Sequence, residues 1–363
     1  MNVENPHRKH AWWRDYKERG IYMITIVVRN RERLFGELNM DPQQPQVILT
    51  ALGQAVKDEW FRTLEIQRQK GRCIRLLGSV IMPDHFHGII FVEEPMDVTL
   101  GEIVRSFKVG CTQARNRLSG VNQSSLTDDT EHASERHRAL SHMSQKQRQA
   151  YYAAHPEIAP LFANDYDDTI CFRRGQLDNI IRYVQDNPRR AILKRANSQL
   201  FRLHQQVVVG GFRCTTLGNQ FLLDFPLKAV LQCSRSLNQE QIDHYKEQCL
   251  VAAEQGTIFV SAGVSEGEKQ ICKALREANH PIIIILKDGF PKIDEPQYKY
   301  YKPQGVYFET CAAGRLLLVE PMGELFDDKD IENNVYQKAG RLPHNNLRYK
   351  FLALNAFASR ICE

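Results

Sequence analysis

The chain has 363 residues, of which 42% are hydrophobic and 25% are charged, a composition typical of globular proteins and sufficient for two domains. The net charge of +5 lies within residues 1–200, which indicates a local phosphate-binding patch and excludes bulk polyanion binding. The nine cysteines are scattered, odd in number and without CxxC pairs, which argues against a disulfide framework or a zinc site. We find no signal peptide and no 18-residue apolar run, so we expect a soluble cytoplasmic protein without a membrane segment.

The first half of the chain predicts a single α+β domain. Its hydrophobic periodicity indicates strands at 21–28, 73–81, 86–93 and about 168–172, with helices at about 47–69 and 99–118. This βαββαβ order predicts a ferredoxin-like fold, in which an antiparallel sheet carries its helices on one face. A polar insert at about 119–160 separates the last two elements; it predicts a short helix after Ser144, and its histidines are expected to be solvated (His132, His137, His142).

Two histidines flank one large apolar residue in the segment Met82–Gly88 (MPDHFHG). Because side chains alternate along a strand, His85 and His87 would point to one face and Phe86 into the core. Two imidazoles on one face of a rigid strand are candidate metal ligands. Taken alone, such a pair is more often two surface histidines.

A helix predicted at 176–187 (QLDNIIRYVQDN) follows the last strand, and Pro188 is expected to stop or kink it. Tyr183 and Asn187 are four residues apart and therefore share one helix face. A tyrosine hydroxyl and an amide oxygen could point together into a cleft. Taken alone, each residue has an ordinary structural explanation, Tyr183 at the rim of an amphipathic helix and Asn187 at a helix end.

Together, the two motifs and their order along the chain resemble the REP-associated tyrosine transposases (RAYTs) of the single-tyrosine HUH superfamily. The supporting segments, in order, are AWWRDYKERG (11–20), YMITIVV (22–28), RLFG (33–36), MPDHFHG (82–88), IVRSFK (103–108), DYDD (165–168) and RYVQDNP (182–188). The resemblance covers about residues 8–195. Its specificity comes from the ordered series, since no single segment is diagnostic.

The resemblance implies a metal-dependent endonuclease, transposase and strand transferase that acts on single-stranded, hairpin-forming DNA in DNA transposition and recombination. His85, His87 and Asn187 would hold Mg²⁺ or Mn²⁺, which would neutralise and polarise the scissile phosphate. Tyr183 would attack phosphorus and form a 5′-phosphotyrosine. Lys108, Arg105 and Arg182 would contact DNA. The sequence leaves open whether the protein is a monomer or a dimer.

The second half of the chain predicts a separate α/β domain at 223–363, after a linker at 201–222. Strands at 228–233, 257–261, 281–286 and 315–319 alternate with helices at about 239–255 and up to about 278, which favours a parallel, doubly wound, Rossmann-like sheet. The loops after the first two strands resemble the DprA-like (SLOG) domain and give the candidate phosphate- or nucleotide-binding residues Ser234, Arg235, Ser261, Gly263 and Gly267. Ala262 and Glu268-Lys269 depart from that pattern, so a scaffold for protein contacts is an equal alternative.

Three functions are therefore compatible with the sequence. The first is the tyrosine endonuclease and strand transferase carried by residues 1–200. The second is a non-catalytic DNA-binding regulator with the same fold, which the presence of every catalytic residue type disfavours. The third is a nucleotide-sensing function carried by the C-terminal domain, which the altered loop disfavours.

Overall fold

The computed structural model describes residues 14–41, 43–120, 142–154, 159–287, 289–290, 303, 305–321 and 347–363. The chain divides into two compact units, Met1–Ile192 and Leu193–Glu363. None of the helices in the described ranges has the length and apolar composition needed to cross a membrane.

The first unit is built on a four-stranded antiparallel sheet. Its elements are β1 (Gly20–Val27), β2 (Gly36–Leu38), β3 (Val47–Leu49), α1 (Ala51–Gln69), β4 (Ile74–Met82), β5 (His85–Val92), α2 (Leu100–Leu118), α3 (Gln145–Ala154), β6 (Asp167–Cys171) and α4 (Gln176–Ala196). The sheet order is β4-β5-β1-β6, and every neighbouring pair is antiparallel. The antiparallel α+β organisation predicted from the sequence is therefore observed.

The two faces of this sheet pack against different helices. Phe86 and Ile90 of β5 lie in the main core with Trp60 of α1 and Phe107 of α2. The odd-numbered residues of β5 point the other way, and Ile89 packs against Ile180 and Val184 of α4 in a separate cluster. Consequently α1 and α2 cover one face, and α4 covers the opposite face, the face towards which odd-numbered residues of β5 point.

Local signals set the helix boundaries. The Thr50 hydroxyl accepts a hydrogen bond from Gly53 N at 3.1 Å, so α1 begins after the short strand β3 rather than at residue 47 as predicted. Thr99 and Glu102 form a capping box that starts α2.

Pro188 does not stop α4, which continues to Ala196, so that alternative of the sequence prediction is wrong. Pro188 lacks the N–H that an interior helix position donates, and its ring disturbs the preceding turn. In that turn, Asn187 Nδ2 donates to the Tyr183 carbonyl at 2.9 Å, which adds a side-chain hydrogen bond where the proline weakens the backbone pattern.

The short helix predicted after Ser144 is confirmed as α3. Gln147 N donates to Ser144 Oγ at 3.3 Å, and Gln147 Oε1 accepts from Ser144 N at 2.9 Å, which is a capping arrangement. His142 is exposed, as predicted, whereas His132 and His137 lie outside the described residues.

The second unit contains a six-stranded mixed sheet. Its elements are β7 (Leu203–Val209), β8 (Phe212–Gly218), β9 (Lys228–Val230), α5 (Gln239–Glu254), β10 (Ile258–Ser261), α6 (Glu266–Glu277), β11 (Ile282–Ile285), α7 (Gly305–Ala312), β12 (Leu316–Pro321) and α8 (Leu347–Cys362). The sequence predicted a linker at 201–222, whereas in the structure β7 and β8 of this segment are hydrogen-bonded strands of the sheet. Alternate side chains of β8, including Cys214, fill the core, so the segment is structural and not a connector.

The strands β9-β10-β11-β12 follow one another in chain order and pair with one another in parallel, whereas β12 pairs antiparallel with β8. Helices α5, α6 and α7 contribute to one core cluster, whereas α8 contributes to the cluster on the other face. A doubly wound sheet reverses its strand order at one point, and ligands bind in the crevice there. The described parallel strands contain no such reversal, and the doubly wound, Rossmann-like interpretation stays a prediction. Membership of the DprA-like family stays a prediction.

Candidate nucleophile and metal-binding site

The two histidines of the HxH motif lie side by side on β5, on the face covered by α4. Their ring centroids are 4.8 Å apart, and the rings are nearly perpendicular. His87 is only 5% exposed, whereas His85 is half-buried at the end of the strand. The strand thus presents both imidazoles to one small region, as the alternation of side chains predicts.

His87 is held by its neighbour on β1. Thr25 is the cross-strand partner of His87, and its Oγ1 lies 2.8 Å from His87 Nδ1. Burial lowers the pKa of His87 to about 3, with further contributions from the positive charges of His85 and Arg31. The ring is therefore neutral at physiological pH, and because Thr25 occupies Nδ1, Nε2 is the nitrogen that can bind a metal.

His85 is held in the same way by a carboxylate. Asp84, in the two-residue turn between β4 and β5, places Oδ1 2.6 Å from His85 Nδ1. Burial raises the pKa of Asp84, but the hydrogen bond and charge of His85, together with Arg31 at 3.3 Å, outweigh it and hold that pKa below its ordinary value. Both imidazoles therefore leave Nε2 as the donor atom, the arrangement typical of metal-binding histidines with fixed outer partners.

Tyr183 lies over this pair from α4. Its ring centroid is 5.8 Å from that of His87, and the guanidinium carbon of Arg190 is 5.6 Å from the same tyrosine ring. The side chain is 37% exposed, so its hydroxyl is accessible to solvent and to a substrate. The phenol ring thus has an imidazole and a guanidinium group as neighbours.

Asn187 follows Tyr183 by one helical turn and is only 9% exposed. Its Nδ2 donates to the Tyr183 carbonyl, so Oδ1 is the atom that this side chain can offer to a metal. The hydrogen bond also ties the orientation of Asn187 to the backbone of the tyrosine. The predicted role of Asn187 as a metal ligand stays a prediction.

The donor set suits a divalent metal with open coordination positions. Within the described part of the chain, no three His, Cys, Asp or Glu side chains form a metal-binding cluster. A metal at His85 and His87 would therefore complete its coordination with amide, water or phosphate oxygen, and these mixed ligands are compatible with Mn²⁺ or Mg²⁺. Asn187 is the nearby amide in the sequence prediction.

The three basic residues predicted to contact DNA do not gather at this site. Lys108 lies on α2, and its ammonium donates to the carbonyls of Ala163 and Asn164, the latter at 3.1 Å. Lys108 and the exposed Arg105 line a cleft of about 580 Å³ that is formed by α2 and residues 160–166. Helix α2 packs on the opposite face from α4, so these two residues are remote from Tyr183, whereas Arg182 is exposed on α4 itself.

The predicted phosphate-binding loop of the second unit is occupied by the chain's own carboxylate. Glu268 is buried; its Oε2 accepts from Val264 N at 2.7 Å and from the Ser261 hydroxyl at 3.4 Å, while its Oε1 accepts from Cys233 N at 3.3 Å. These donors are the ones that would have met a phosphate at this end of the sheet. The Glu268 carboxylate thus places a negative charge in the first turn of α6, where it stabilises the positive end of the helix dipole.

The other residues predicted for that loop have structural explanations. A Cβ on Gly267 would lie 2.3 Å from Cys233 Sγ, and Gly263 adopts a left-handed φ of +60°. Ser234 Oγ lies 2.8 Å from Ser236 Oγ, and Arg235 packs 4.9 Å from the Phe351 ring centroid. A phosphate-binding role for Ser234, Arg235, Ser261, Gly263 and Gly267 stays a prediction, with Glu268 already accepting hydrogen bonds from this loop.

Sequence reasoning assigned no role to four residues that shape these sites, namely Thr25, Asp84, Arg190 and Glu268. Thr25 and Asp84 lie inside segments that carry the family resemblance, but only strand pairing shows which atom each one holds. Arg190 is seven residues after Tyr183, so it lies on the same helix face. This spacing could have identified Arg190 from the sequence as a neighbour of Tyr183. Glu268 departs from the loop pattern, and its negative charge could have indicated from the sequence that it takes the place of a bound anion.

No protein-family model matches the chain. An uncharacterized protein of Haemophilus influenzae is 34% identical over 127 residues, which cover 30% of this chain and 66% of that protein, slightly less than two thirds of its length. Two solved structures are similar over 49% of this chain: a REP-associated tyrosine transposase bound to a REP hairpin (TM-score 0.29, 14% identity, 72% of that chain) and a candidate transposase from Deinococcus radiodurans R1 (TM-score 0.24, 13% identity, 97% of that chain). The structural neighbours are thus transposases, at TM-scores too low to establish a shared fold.

Proposed function

We propose that the first unit is a metal-dependent, single-stranded DNA endonuclease and strand transferase with Tyr183 as its nucleophile. The observation that carries the proposal is the position of the Tyr183 ring, whose centroid is 5.8 Å from that of His87, one of two adjacent histidines whose Nδ1 atoms are both held by outer partners. A tyrosine beside a preorganised metal-ligand pair is suited to attack a phosphodiester. The motif series shared with the RAYTs supports the same chemistry.

The first step exchanges one phosphoester for another. The Tyr183 oxygen attacks phosphorus and forms a Tyr–O–P bond, while the P–O3′ bond breaks and the phosphate stays on the 5′ end of the downstream strand. The phenol proton passes to solvent, to which the side chain is accessible, and the departing 3′ oxygen takes up a proton. Because the ester is conserved, a 3′-hydroxyl of the same or another strand can attack the phosphotyrosine and reverse the exchange, which joins DNA without ATP.

Each side chain at the site has a defined task in this proposal. His85, His87 and Asn187 would hold the metal, which when bound neutralises and polarises the scissile phosphate. Thr25 and Asp84 orient the two imidazoles. Arg190, close to the tyrosine ring, would contact a non-bridging phosphate oxygen where negative charge develops.

The substrate is proposed from the same resemblance. Members of the RAYT family act on hairpin-forming repeat DNA, and the single-stranded form exposes the phosphodiester to Tyr183. The hydrogen bonds that the Glu268 carboxylate accepts from this loop disfavour nucleotide sensing by the second unit as the main activity.

The test is a covalent-adduct assay with single-stranded DNA of random sequence that carries a label at its 3′ end. Because a 5′-phosphotyrosine retains the DNA on the 3′ side of the cut, the label should migrate with the protein on a denaturing gel in Mn²⁺ or Mg²⁺. A 5′ label should instead appear on a shortened free strand. EDTA, Tyr183→Phe and His87→Ala should each abolish the adduct, whereas Tyr151→Phe, on α3, serves as the matched tyrosine control and should not.

The proposal is rejected if wild-type protein that is folded and metal-loaded forms no adduct with any strand of the pool. It is also rejected if Tyr183→Phe forms as much adduct as the wild type. A protein that binds the pool without cleavage would instead support a DNA-binding regulator.

A further inference from the structure

The face of the sheet that carries the two histidines continues, beyond the part covered by α4, into an exposed aromatic and basic surface. Phe91 lies four residues after His87 on β5 and points to the same face, about 13 Å away at the rise of an antiparallel strand. Ile89, between them, is buried under α4, whereas Phe91 is half-buried at the far end of the strand.

Two guanidinium groups enclose the Phe91 ring. The Arg19 guanidinium carbon is 5.4 Å from the ring centroid, and that of Arg75 is 5.2 Å away. Arg75 is also paired with Glu93 at 2.7 Å, whereas Arg19 is exposed and has no carboxylate partner among the described residues. Stacking on Phe91 fixes the planes of both groups, so their outward N–H donors are preorganised for a planar or tetrahedral anion.

A loop at the same end of the sheet adds an exposed aromatic ring and two more cations. Cys171 at the end of β6 is paired with Ile21, which is paired in turn with Phe91. The loop Phe172-Arg173-Arg174-Gly175 begins there and leads into α4. Phe172 is 59% exposed, and both arginines are exposed, with no ion pair within the part of the chain that the structure describes.

We propose that this surface, formed by Phe91, Arg19, Arg75 and the loop Phe172–Arg174, binds the single-stranded DNA segment that flanks the scissile phosphate. Arg19, Arg173 and Arg174 contact backbone phosphates, and Phe172 stacks on a base. The inference rests on the proposed function, because α4 connects this surface directly to Tyr183. It adds a binding site for substrate outside the nucleophile and the metal ligands.

The chemistry favours a single strand over other partners. Exposed aromatic rings interleaved with cations are the usual means by which proteins hold single-stranded nucleic acid without reading its sequence. In a duplex the base faces are stacked on one another, so Phe172 would have no base to contact. An acidic protein surface would use the arginines but would not require an exposed aromatic side chain.

The experiment measures DNA affinity separately from cleavage. Full-length protein carrying Tyr183→Phe is titrated against fluorescein-labelled single-stranded DNA of random sequence, by fluorescence anisotropy. Adding Phe172→Ala should raise Kd at least about 5-fold, from the loss of one stacked base, and Phe172→Trp should restore it. The matched control is Phe61→Ala on α1, since Phe61 is 54% exposed in the same unit but on a helix of the opposite sheet face.

The arginines are tested by salt dependence. Arg173→Ala and Arg174→Ala should each lower the slope of log Kd against log salt by about 0.7, the value for one phosphate contact on a single strand. Thermal unfolding shows that each variant is folded. If Phe172→Ala and Phe61→Ala have the same Kd, or if the salt slopes are unchanged, the inference is wrong.

That result would leave the proposed function intact, because adduct formation is scored separately in Tyr183-containing protein. Conversely, absence of the adduct would contradict the proposed function, while the ratio of the Kd values would still decide whether this surface binds single strands.

Discussion

Thr25→Val tests whether the two histidines are built to bind a metal. The substitution removes the hydroxyl that lies 2.8 Å from His87 Nδ1 and retains the β-branched shape that suits the strand. Loss of an outer partner of a metal-binding histidine weakens metal affinity by about 10- to 100-fold, which corresponds to about 1.4–2.7 kcal/mol. Because Nδ1 of His87 is buried, leaving it without a partner should also lower the free energy of unfolding by about 1–3 kcal/mol.

The assay is calorimetric titration of Mn²⁺ into full-length protein, followed by adduct yield as a function of Mn²⁺ concentration. Thr25→Val should shift both curves to higher metal concentration by the same factor, and adduct yield should recover at saturating Mn²⁺. Thr169→Val is the matched control, because Thr169 lies on β6 of the same sheet and is exposed. An unchanged Mn²⁺ affinity in Thr25→Val would show that the Thr25–His87 contact is structural and would refute the reasoning.

Three further predictions concern single residues. Arg190→Ala should slow adduct formation about 100-fold at saturating DNA, as expected for loss of a transition-state donor, whereas Arg189→Ala, whose partner is Asp186, should slow it less; equal rates would remove Arg190 from the mechanism. Glu268→Gln should lower the free energy of unfolding by about 1–3 kcal/mol in urea titrations, because its amide turns a donor towards backbone donors; unchanged stability would contradict the assigned contacts. Lys108→Met should lower stability by a similar amount of about 1–3 kcal/mol without changing DNA affinity, since its ammonium donates to backbone carbonyls; a large rise in Kd would restore its predicted DNA contact.

Much of the first unit was predictable because its strands have strong periodicity. The apolar runs around His85 and Ile74 gave strand limits within one or two residues, and the βαββαβ order admits few sheet arrangements. The shared face of the two histidines follows from strand geometry alone. The contacts that give them their properties, such as Thr25 to His87, depend on which strands become neighbours, and that information is not local.

The second unit was less predictable for physical reasons. The segment Leu203–Val209 (LHQQVVV) has weak alternation, and among the described strands it pairs with β8 alone, so its sequence carries little of the signal of a buried strand. Alternating strands and helices predict a parallel sheet but do not fix the order of its strands, and that order decides whether a ligand crevice forms. The role of Glu268 is set by donors from two segments that the fold brings together, Cys233 after β9 and Ser261 and Val264 at the end of β10.

The most direct test of the proposed function is mass spectrometry of the covalent adduct. Wild-type protein is reacted with single-stranded DNA in Mn²⁺, the DNA is trimmed with nuclease, and the protein is digested with trypsin. Cleavage after Arg182 and Arg189 releases residues 183–189 (YVQDNPR), in which Tyr183 is the one hydroxyl-bearing side chain. We predict that a nucleotide is attached to this peptide through a phosphotyrosine, and attachment to any other peptide would contradict the assignment of Tyr183 as the nucleophile.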